Sequence, residues 1–453
     1  MFPFSARRLA QGLGGELIAE GSEASYANLV TDSRKVKKGD IYLALKGERF
    51  NGEAFFEKAA KAGAAALVGR KPPRIRGCAA IRVPDGLLAL QALARDQRRL
   101  FEGPVIAITG SNGKTGVKEC LAHLLGEGTL ATQGNFNNHI GLPLTLLRLQ
   151  PGHRAAVLEL GMNHYGELAL LGKISRPDVA LELNVGDAHI GFFKDRAGVA
   201  KAKEELLEAM GSSGIAVLNG DDPLVAAMGR RFRGRQIRFG TGKGNDLRLS
   251  RIQDRGASGL KADLSWQGRA LPLRLPMGGK ARRYQALAAL GGALAAGREL
   301  KGLLPRLGSF RPQSQGRLQL ERLGGVSFIL DTYNASPQSM DAALEFLELS
   351  APRGRRLAIL GDMLELGAAA GNFQRALGRR ARKAGLRVLG ALGPRASATL
   401  EGFGGAGAAF QEEDAAGAAA FLKANLKAGD WVLLKGSRGM AVERVFAGLK
   451  EKG

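Results

Sequence analysis

Cysteine is nearly missing from this chain. Cys78 and Cys120 are the only two in 453 residues, and their spacing forms neither a CxxC pair nor a zinc knuckle. No disulfide framework is indicated, so a reducing cytoplasm is the expected setting. Aromatic residues make up only 6%, little material for a platform on which bases stack. Nowhere does an apolar run reach the roughly 18 residues that crossing a bilayer requires. The opening stretch, MFPFSARRLAQGLGGEL, carries charge where a secretion signal has its apolar core. Acidic residues are outnumbered, 42 against 66 basic, for a net charge of +24. Such an excess can attract nucleic acid, but the basic residues are scattered in pairs along helical stretches and not gathered in a tail. Anionic small substrates are the simpler partner, with no nucleic acid expected.

Glycine is what the chain has in plenty, 65 residues, about twice the usual share of ~7%. That fits many turns between strands and helices. A chain of this length exceeds one ordinary core, which predicts about two to four domains.

The most informative stretch is VIAITGSNGKT at 105–115. A β-branched apolar run stops at a glycine turn, then a lysine, a hydroxyl residue and a helical pattern at 117–125 follow. A strand, a loop and a helix N-terminus in this order present backbone N–H groups and a positive dipole end to phosphate. Gly110 and Gly113 let the backbone turn around Ser111 and Asn112, Lys114 would reach the outer phosphates, and the Thr115 hydroxyl would ligate Mg²⁺. The spacing G-x-x-G-K-T is two residues shorter than the common phosphate-loop pattern. The alternative, a glycine turn with a solvated lysine, does not account for the strand before it and the helix after it. The stretch reads as a nucleoside triphosphate site.

Before this loop, residues 1–100 show a pattern of their own. TDSR at 31–34 leads into an apolar strand at 41–45, a helical pattern at 54–62 and a second strand at 64–68. Ser33 and Arg34 either hold a phosphate or sugar hydroxyl or form a plain turn with a solvated arginine. From 104 to 310 strands and helices alternate, as in a parallel sheet covered by helices. The strand at 155–160 ends at Glu159 and that at 179–183 runs on to His189. Ligands of parallel sheets collect at the carboxyl ends of strands, so these two residues fall where a metal beside the phosphates would sit. A charge-rich helical run at 199–206 contains Lys203, which spacing alone does not single out. Residues 230–275 suggest small antiparallel strands, and an Ala-rich helix at 285–296 would close the domain. From 317 a second α/β unit follows, with strands expected at 327–330, 357–360, 386–389 and 431–434. Its polar residues again come just after strands, which would form a second half-site facing the first.

With those motifs in view, the chain resembles the Mur ligases of peptidoglycan synthesis, over essentially its whole length. It is most like the MurF type, which adds D-alanyl-D-alanine to UDP-N-acetylmuramoyl-tripeptide. TDSRKVKKGDIYLALKGERFNG, TGSNGKT, GNFNNHIGLPLTLLRL, LELGMNHYGEL, VGDAHIGFF, VAKAKEEL, DTYNASPQSM, LGDMLELG and LLKGSRGM follow in the family's order. The resemblance implies three α/β domains. Residues 1–100 would be a small domain binding the UDP-sugar. Residues 101–312 would be a central P-loop ATPase domain with a mostly parallel sheet. Residues 313–453 would be a Rossmann-like domain taking the incoming dipeptide. It also implies ATP and Mg²⁺ at two sites, a cytoplasmic setting and a monomer.

The same resemblance gives Lys203 a role, as a carbamylated lysine that helps hold Mg²⁺ with Thr115, Glu159 and His189. Lys114 would contact the ATP phosphates, and Arg317 and Asp331 would meet the nucleotide from the third domain. Ser33 and Arg34 match the uridine-contacting region, and Asn138 and Asn163 match positions lining the substrate channel. Tyr333, Asn334 and Lys435 would lie near the dipeptide and the transferred phosphoryl group.

Some positions depart from the family. Its usual His-Asn before an Asn-Ala-Leu-Ala-Ala helix is Ala281-Arg282 here, followed by Arg283, Tyr284 and Gln285. Its usual Asn-Ala-Asn-Pro is Asn334-Ala335-Ser336-Pro337, an expected histidine is Gln374, and an acidic residue before Asp331 is Leu330. Asn51 and Glu53 replace the usual Asp and His. Adenine contacts are the point most affected, with Arg282 or Tyr284 expected to stack on the base. Two other readings stand beside the first: a Mur-type ligase adding another amino acid, or a non-catalytic nucleotide-binding relative.

Overall fold

The computed structural model describes residues 5–22, 25–48, 50–187, 190–404, 408–412 and 414–450. Among them the strands form three sheets. The first has five strands in the spatial order Glu16–Ala19, Ala79–Arg82, Ala66–Gly69, Ile41–Leu43, Leu29–Val30. Only the pair Glu16–Ala19 and Ala79–Arg82 is antiparallel. Ile41–Leu43 and Ala66–Gly69 are buried at every position, which is why they read as continuous apolar runs and not as alternating ones. The helical pattern expected at 54–62 divides into a 3₁₀ turn, Gly52–Phe55, and a helix, Phe56–Lys61. The Asn51 carboxamide accepts from the Glu53 N–H at 3.1 Å and starts the chain in the tighter turn.

The second sheet has nine strands. Their order is Arg269–Leu275, Leu260–Trp266, Leu247–Asp254, Arg235–Gly240, Ile215–Asn219, Val179–Glu182, Val105–Thr109, Ala155–Glu159, Thr129–Ala131. The last three pair in parallel. At the other side Leu247–Asp254, Leu260–Trp266 and Arg269–Leu275 form an antiparallel meander, as expected within 230–275, but Arg235–Gly240 in the same region pairs in parallel with Leu247–Asp254. The Ala-rich helix begins earlier than its apolar pattern suggested and spans Lys280–Ala295. Buried Arg98 fixes the start of the phosphate-loop strand indirectly: its guanidinium donates to the Asp178 carboxylate at 3.0 Å, which also accepts from Val105 N–H at 2.8 Å.

The third sheet runs Gln319–Leu323, Val326–Asp331, Trp431–Lys435, Arg356–Gly361, Val388–Leu392, Ala408–Glu412. All pairs are parallel except the first, a hairpin. Alternate residues serve opposite faces. Ile329, Leu360 and Leu433 pack with Leu344 and Leu347 on one side, and Phe328, Ile359 and Val432 pack with Leu422 and Phe446 on the other. The strand expected at 386–389 begins only at Val388, because Gly385 (φ +71°) ends the preceding helix and Leu386 packs in the cluster beneath it. Gln319–Leu323 and Ala408–Glu412 were not expected as strands.

The chain folds as two compact units. One comprises residues 1–108, 125–180 and 204–215, the other residues 109–124, 181–203 and 216–453. No helix among the described residues is long and apolar enough to cross a membrane.

Candidate active site

Glycine is required where the buried strand Val105–Thr109 ends. Gly110 has φ +152°, and a Cβ there would stand 2.8 Å from the Leu183 Cβ; Gly113 has φ +88°. The loop between them is clamped by Asn184, the second residue beyond the strand Val179–Glu182. Ser111 N–H donates to the Asn184 carbonyl at 3.0 Å and Asn112 N–H to its side-chain oxygen at 2.9 Å. The Asn184 amide returns a bond to the Asn112 carbonyl at 3.0 Å. Ser111 Oγ accepts from Gly186 N–H at 2.8 Å. Helix Lys114–Leu125 follows directly, with Thr115 buried in its first turn. Lys114 Nζ donates to the Gly110 carbonyl at 2.6 Å, so the lysine curls over its own loop.

Lys203 belongs to the same unit and is buried on helix Arg196–Met210. Burial drives its amine down from the ordinary 10.5 to about 7. The neighbouring Lys114 ammonium pushes the same way, and Glu182, buried at the strand end, opposes both. Ala188 and His189 lie outside the described residues. Just before them, Asp187 is gripped by Arg196 through two 2.6 Å bonds. Those bonds hold its carboxyl below the usual carboxylate range. Asp187 N–H also donates to Gln338 Oε1 at 3.1 Å, and Ser336 Oγ donates to Asn112 Oδ1 at 2.9 Å. The N-terminal turn of helix Pro337–Ser350 is thereby tied to the phosphate loop.

The expected residues of the third sheet are gathered at one end of adjacent strands. Asp331 and Lys435 are register partners. The buried Lys435 ammonium donates to Asp331 Oδ2 at 2.6 Å and to the Asn334 carbonyl at 3.0 Å. Asp331 Oδ1 accepts from Leu318 N–H at 3.2 Å, and the Arg317 guanidinium lies 3.9 Å over the half-exposed Tyr333 ring. Lys435 thus acts on its neighbours from within the fold and is not a solvent-facing cation.

In the other unit, Glu159 ends the strand Ala155–Glu159 opposite Ile108 and is buried. Asn137 donates to its carboxylate at 3.1 Å, while Glu159 N–H donates to Thr132 Oγ1 at 3.0 Å. The exposed Asn138 side chain accepts from Ile140 and Gly141 N–H and caps the next helix locally. Asn163 is exposed, and its N–H donates to Glu167. Ser33 is buried in a 3₁₀ turn, and Arg34 forms two 2.9 Å bonds with Asp32. Asp32 is held at about 2 by those bonds. Arg34 is therefore neither a merely solvated arginine nor a side chain without commitments.

Sequence reasoning passed over Asn184, Asn137, Asp187 with Arg196, and Glu182. Their signal was position alone: all but Asn137 and Arg196 stand at or just beyond the carboxyl end of a strand.

Comparison with known proteins decides the family. The models described as Mur ligase family catalytic domain, Mur ligase middle domain, and Mur ligase glutamate ligase domain match residues 25–98, 108–293 and 316–438. The UDP-N-acetylmuramoyl-tripeptide–D-alanyl-D-alanine ligase of Escherichia coli (strain K12) is 34% identical, covering 100% of both chains. That of Bacillus subtilis (strain 168) is 33% identical, covering 100% of this chain and 99% of the relative. The chain belongs to the Mur ligase family. Among solved structures, MurF from Acinetobacter baumannii superposes with a TM-score of 0.91 at 33% identity over 99% of each chain. MurF from Thermotoga maritima in complex with ADP gives 0.84 at 30% identity, covering 94% of this chain and 97% of the other. The three sheets are those of the three-domain Mur ligase fold.

Against that fold the departures take on definite roles. Arg282, where the sequence departs from the resembled pattern, is partly buried; it donates to Gln285 Oε1 at 2.9 Å and to the Arg317 carbonyl at 3.0 Å. Its guanidinium is spanned between those partners. Tyr284 gives its hydroxyl to Asp221 at 2.7 Å. Burial raises the Asp221 carboxyl, but the Thr241 N–H, the Tyr284 hydroxyl and the Gly242 N–H outweigh it and hold the group at about 2. Gln374, in place of histidine, donates to the buried Asp362 at 2.9 Å.

Proposed function

We propose that this Mur ligase joins D-alanyl-D-alanine to the terminal carboxylate of UDP-N-acetylmuramoyl-tripeptide at the expense of ATP, in the cytoplasm and as a monomer. The observation that carries this reading is the end-to-end match, at 33–34% identity, with relatives bearing that name. The glycine turn between a buried strand and a helix N-terminus supports it independently, because that order is the one that offers a helix N-terminus to phosphate.

In the proposed reaction an oxygen of the tripeptide carboxylate attacks the γ-phosphorus and ADP leaves, giving an acyl phosphate. The dipeptide amine then attacks the acyl carbon, phosphate leaves, and the amine loses its proton. Such a transfer asks for alignment and charge neutralisation more than for covalent help. Lys114 would uncurl from Gly110 onto the phosphates, and the loop of Gly110, Ser111, Asn112 and Gly113, held in shape by Asn184, would lie against the nucleotide. Arg317 and Asp331 would hold the nucleotide, and Tyr333 and Asn334, steadied by Lys435, the dipeptide. Ser33 and Arg34 would hold the uridine end, and Asn138 and Asn163 would line the path of the peptide. The functional division would be 1–100 for UDP-sugar, 101–312 for ATP and 313–453 for dipeptide.

The residues present fit Mg²⁺. Glu159 is a buried carboxylate and Thr115 a buried hydroxyl. The Lys203 amine, brought to about 7, is available near neutrality to add CO₂ and become an anion. Thr115, Glu159, His189 and carbamylated Lys203 would hold the metal at two sites, where it would neutralise phosphate charge. The test is phosphate release from ATP with the tripeptide nucleotide, in the presence and absence of D-Ala-D-Ala. Release that needs both supports the reading; release indifferent to the dipeptide points to another acceptor.

A further inference from the structure

A partly buried arginine near a helix N-terminus is unfavourable on two counts. The helix dipole repels it, and its charge leaves water. Arg282 sits there, in the first turn of helix Lys280–Ala295, with its Nε buried and without a hydrogen-bond partner. Its two terminal nitrogens each make a hydrogen bond. One donates to Gln285 Oε1 at 2.9 Å, the other to the Arg317 carbonyl at 3.0 Å. Gln285 in turn donates to the Gly116 carbonyl at 2.5 Å. Gly116 directly follows Thr115, and even a Cβ there would press to 3.1 Å on the Gln285 amide, so the approach is close.

From Arg317 the path continues. Its guanidinium covers the Tyr333 ring, and the next residue, Leu318, donates to Asp331. Asp331 is paired with Lys435, which holds the Asn334 carbonyl. An unbroken series of contacts thus joins the first turn after the phosphate loop to Tyr333, Asn334 and Lys435. Arg282 lies in the segment matched by the middle-domain model and Arg317 in that matched by the glutamate-ligase-domain model. Arg282 is the bridge between those segments along this path.

We propose that Arg282 is a positioning residue that makes the dipeptide half-site depend on the state of the nucleotide loop. A planar fork is needed for this, because it holds the Gln285 amide oxygen and the Arg317 carbonyl at once; a lysine offers one point charge and can keep only one of them in line. The proposal rests on the ligase reading and adds to it a residue through which the two half-sites communicate, beside the ties of Ser336 to Asn112 and of Gln338 to Asp187.

The experiment compares the dissociation constant of D-Ala-D-Ala for the full chain, loaded with the tripeptide nucleotide, without and with a saturating non-hydrolysable ATP analogue and Mg²⁺. The wild-type ratio is expected to be about tenfold or more, within the usual range of such couplings. In Arg282→Lys and Arg282→Ala it falls to about one, while the ATP analogue itself binds within about threefold of wild type and KM for the dipeptide rises more than kcat falls. If Arg282→Ala does not fold, Arg282→Lys, which keeps stem and charge, decides. A purely structural role would lower the melting temperature and leave the ratio as it was, and that result overturns the proposal, as does a wild-type ratio of one. Absence of phosphate release by the wild type overturns the ligase reading as well, which separates the two failures.

Discussion

Lys203 shows how burial can turn a common residue into a reactive one. An ammonium beside Lys114 in a dry site is disfavoured, and only Glu182 opposes its deprotonation. The free amine titrates at 10.5 and the folded one at about 7. Between those values the unfolded chain holds the extra proton, so in bicarbonate-free buffer stability should rise as pH goes from 7 to 10.5. Urea midpoints across that range test this, and Lys203→Met should flatten the rise. The same neutral amine predicts that activity falls in CO₂-depleted buffer and returns with bicarbonate, the adduct appearing in native mass spectra. Asn184 makes a prediction of another kind. Asn184→Ala removes two side-chain bonds to Asn112, each worth about 1 kcal/mol, so KM for ATP should rise about tenfold or more with the fold intact by circular dichroism. Lys114, Thr115, Gly110 and Gly113 could be read from the sequence because loop chemistry is local. Asn184 could not be read as a clamp, since its partners are 72 residues away.

Secondary-structure elements were legible where pattern and burial agree. The strands at 105–109, 155–159 and 431–435 were read to within a residue because their bodies are continuous apolar runs buried on both faces, with Glu159 and Lys435 only at the ends. Gln319–Leu323 was missed because it is an edge strand with partly exposed residues, whose polar alternation resembles a loop. The helix at 280–295 begins with Lys-Ala-Arg-Arg, so apolar periodicity starts only at Gln285 and the front turn stayed hidden. At this scale the buried Lys435–Asp331 pair joins the ends of two parallel strands. Lys435→Ala takes the ammonium partner from the largely buried Asp331 carboxylate and should cost about 3 kcal/mol in denaturant unfolding, whereas Lys435→Met together with Asp331→Leu should cost much less. Equal losses in the two variants would show that the pair contributes through packing alone.

Across the whole molecule, the net charge of +24 suits substrates that carry phosphate and carboxylate groups, and the full-length likeness to Mur ligases supplies the chemistry that charge alone leaves open. The family pattern was legible end to end because its motifs are short and keep their order. What was not legible is how the departures are accommodated. Arg282, Gln285, Ser336 and Gln374 each find partners remote in sequence, and one-dimensional spacing holds no record of those.

The most direct test is a single assay: phosphate release from ATP by the purified chain with UDP-N-acetylmuramoyl-tripeptide, Mg²⁺ and bicarbonate, with D-Ala-D-Ala added or withheld. The account predicts release only when tripeptide and dipeptide are both present, with one pentapeptide formed per phosphate. Nucleotide binding with no release under any combination would contradict it and leave a non-catalytic relative in its place.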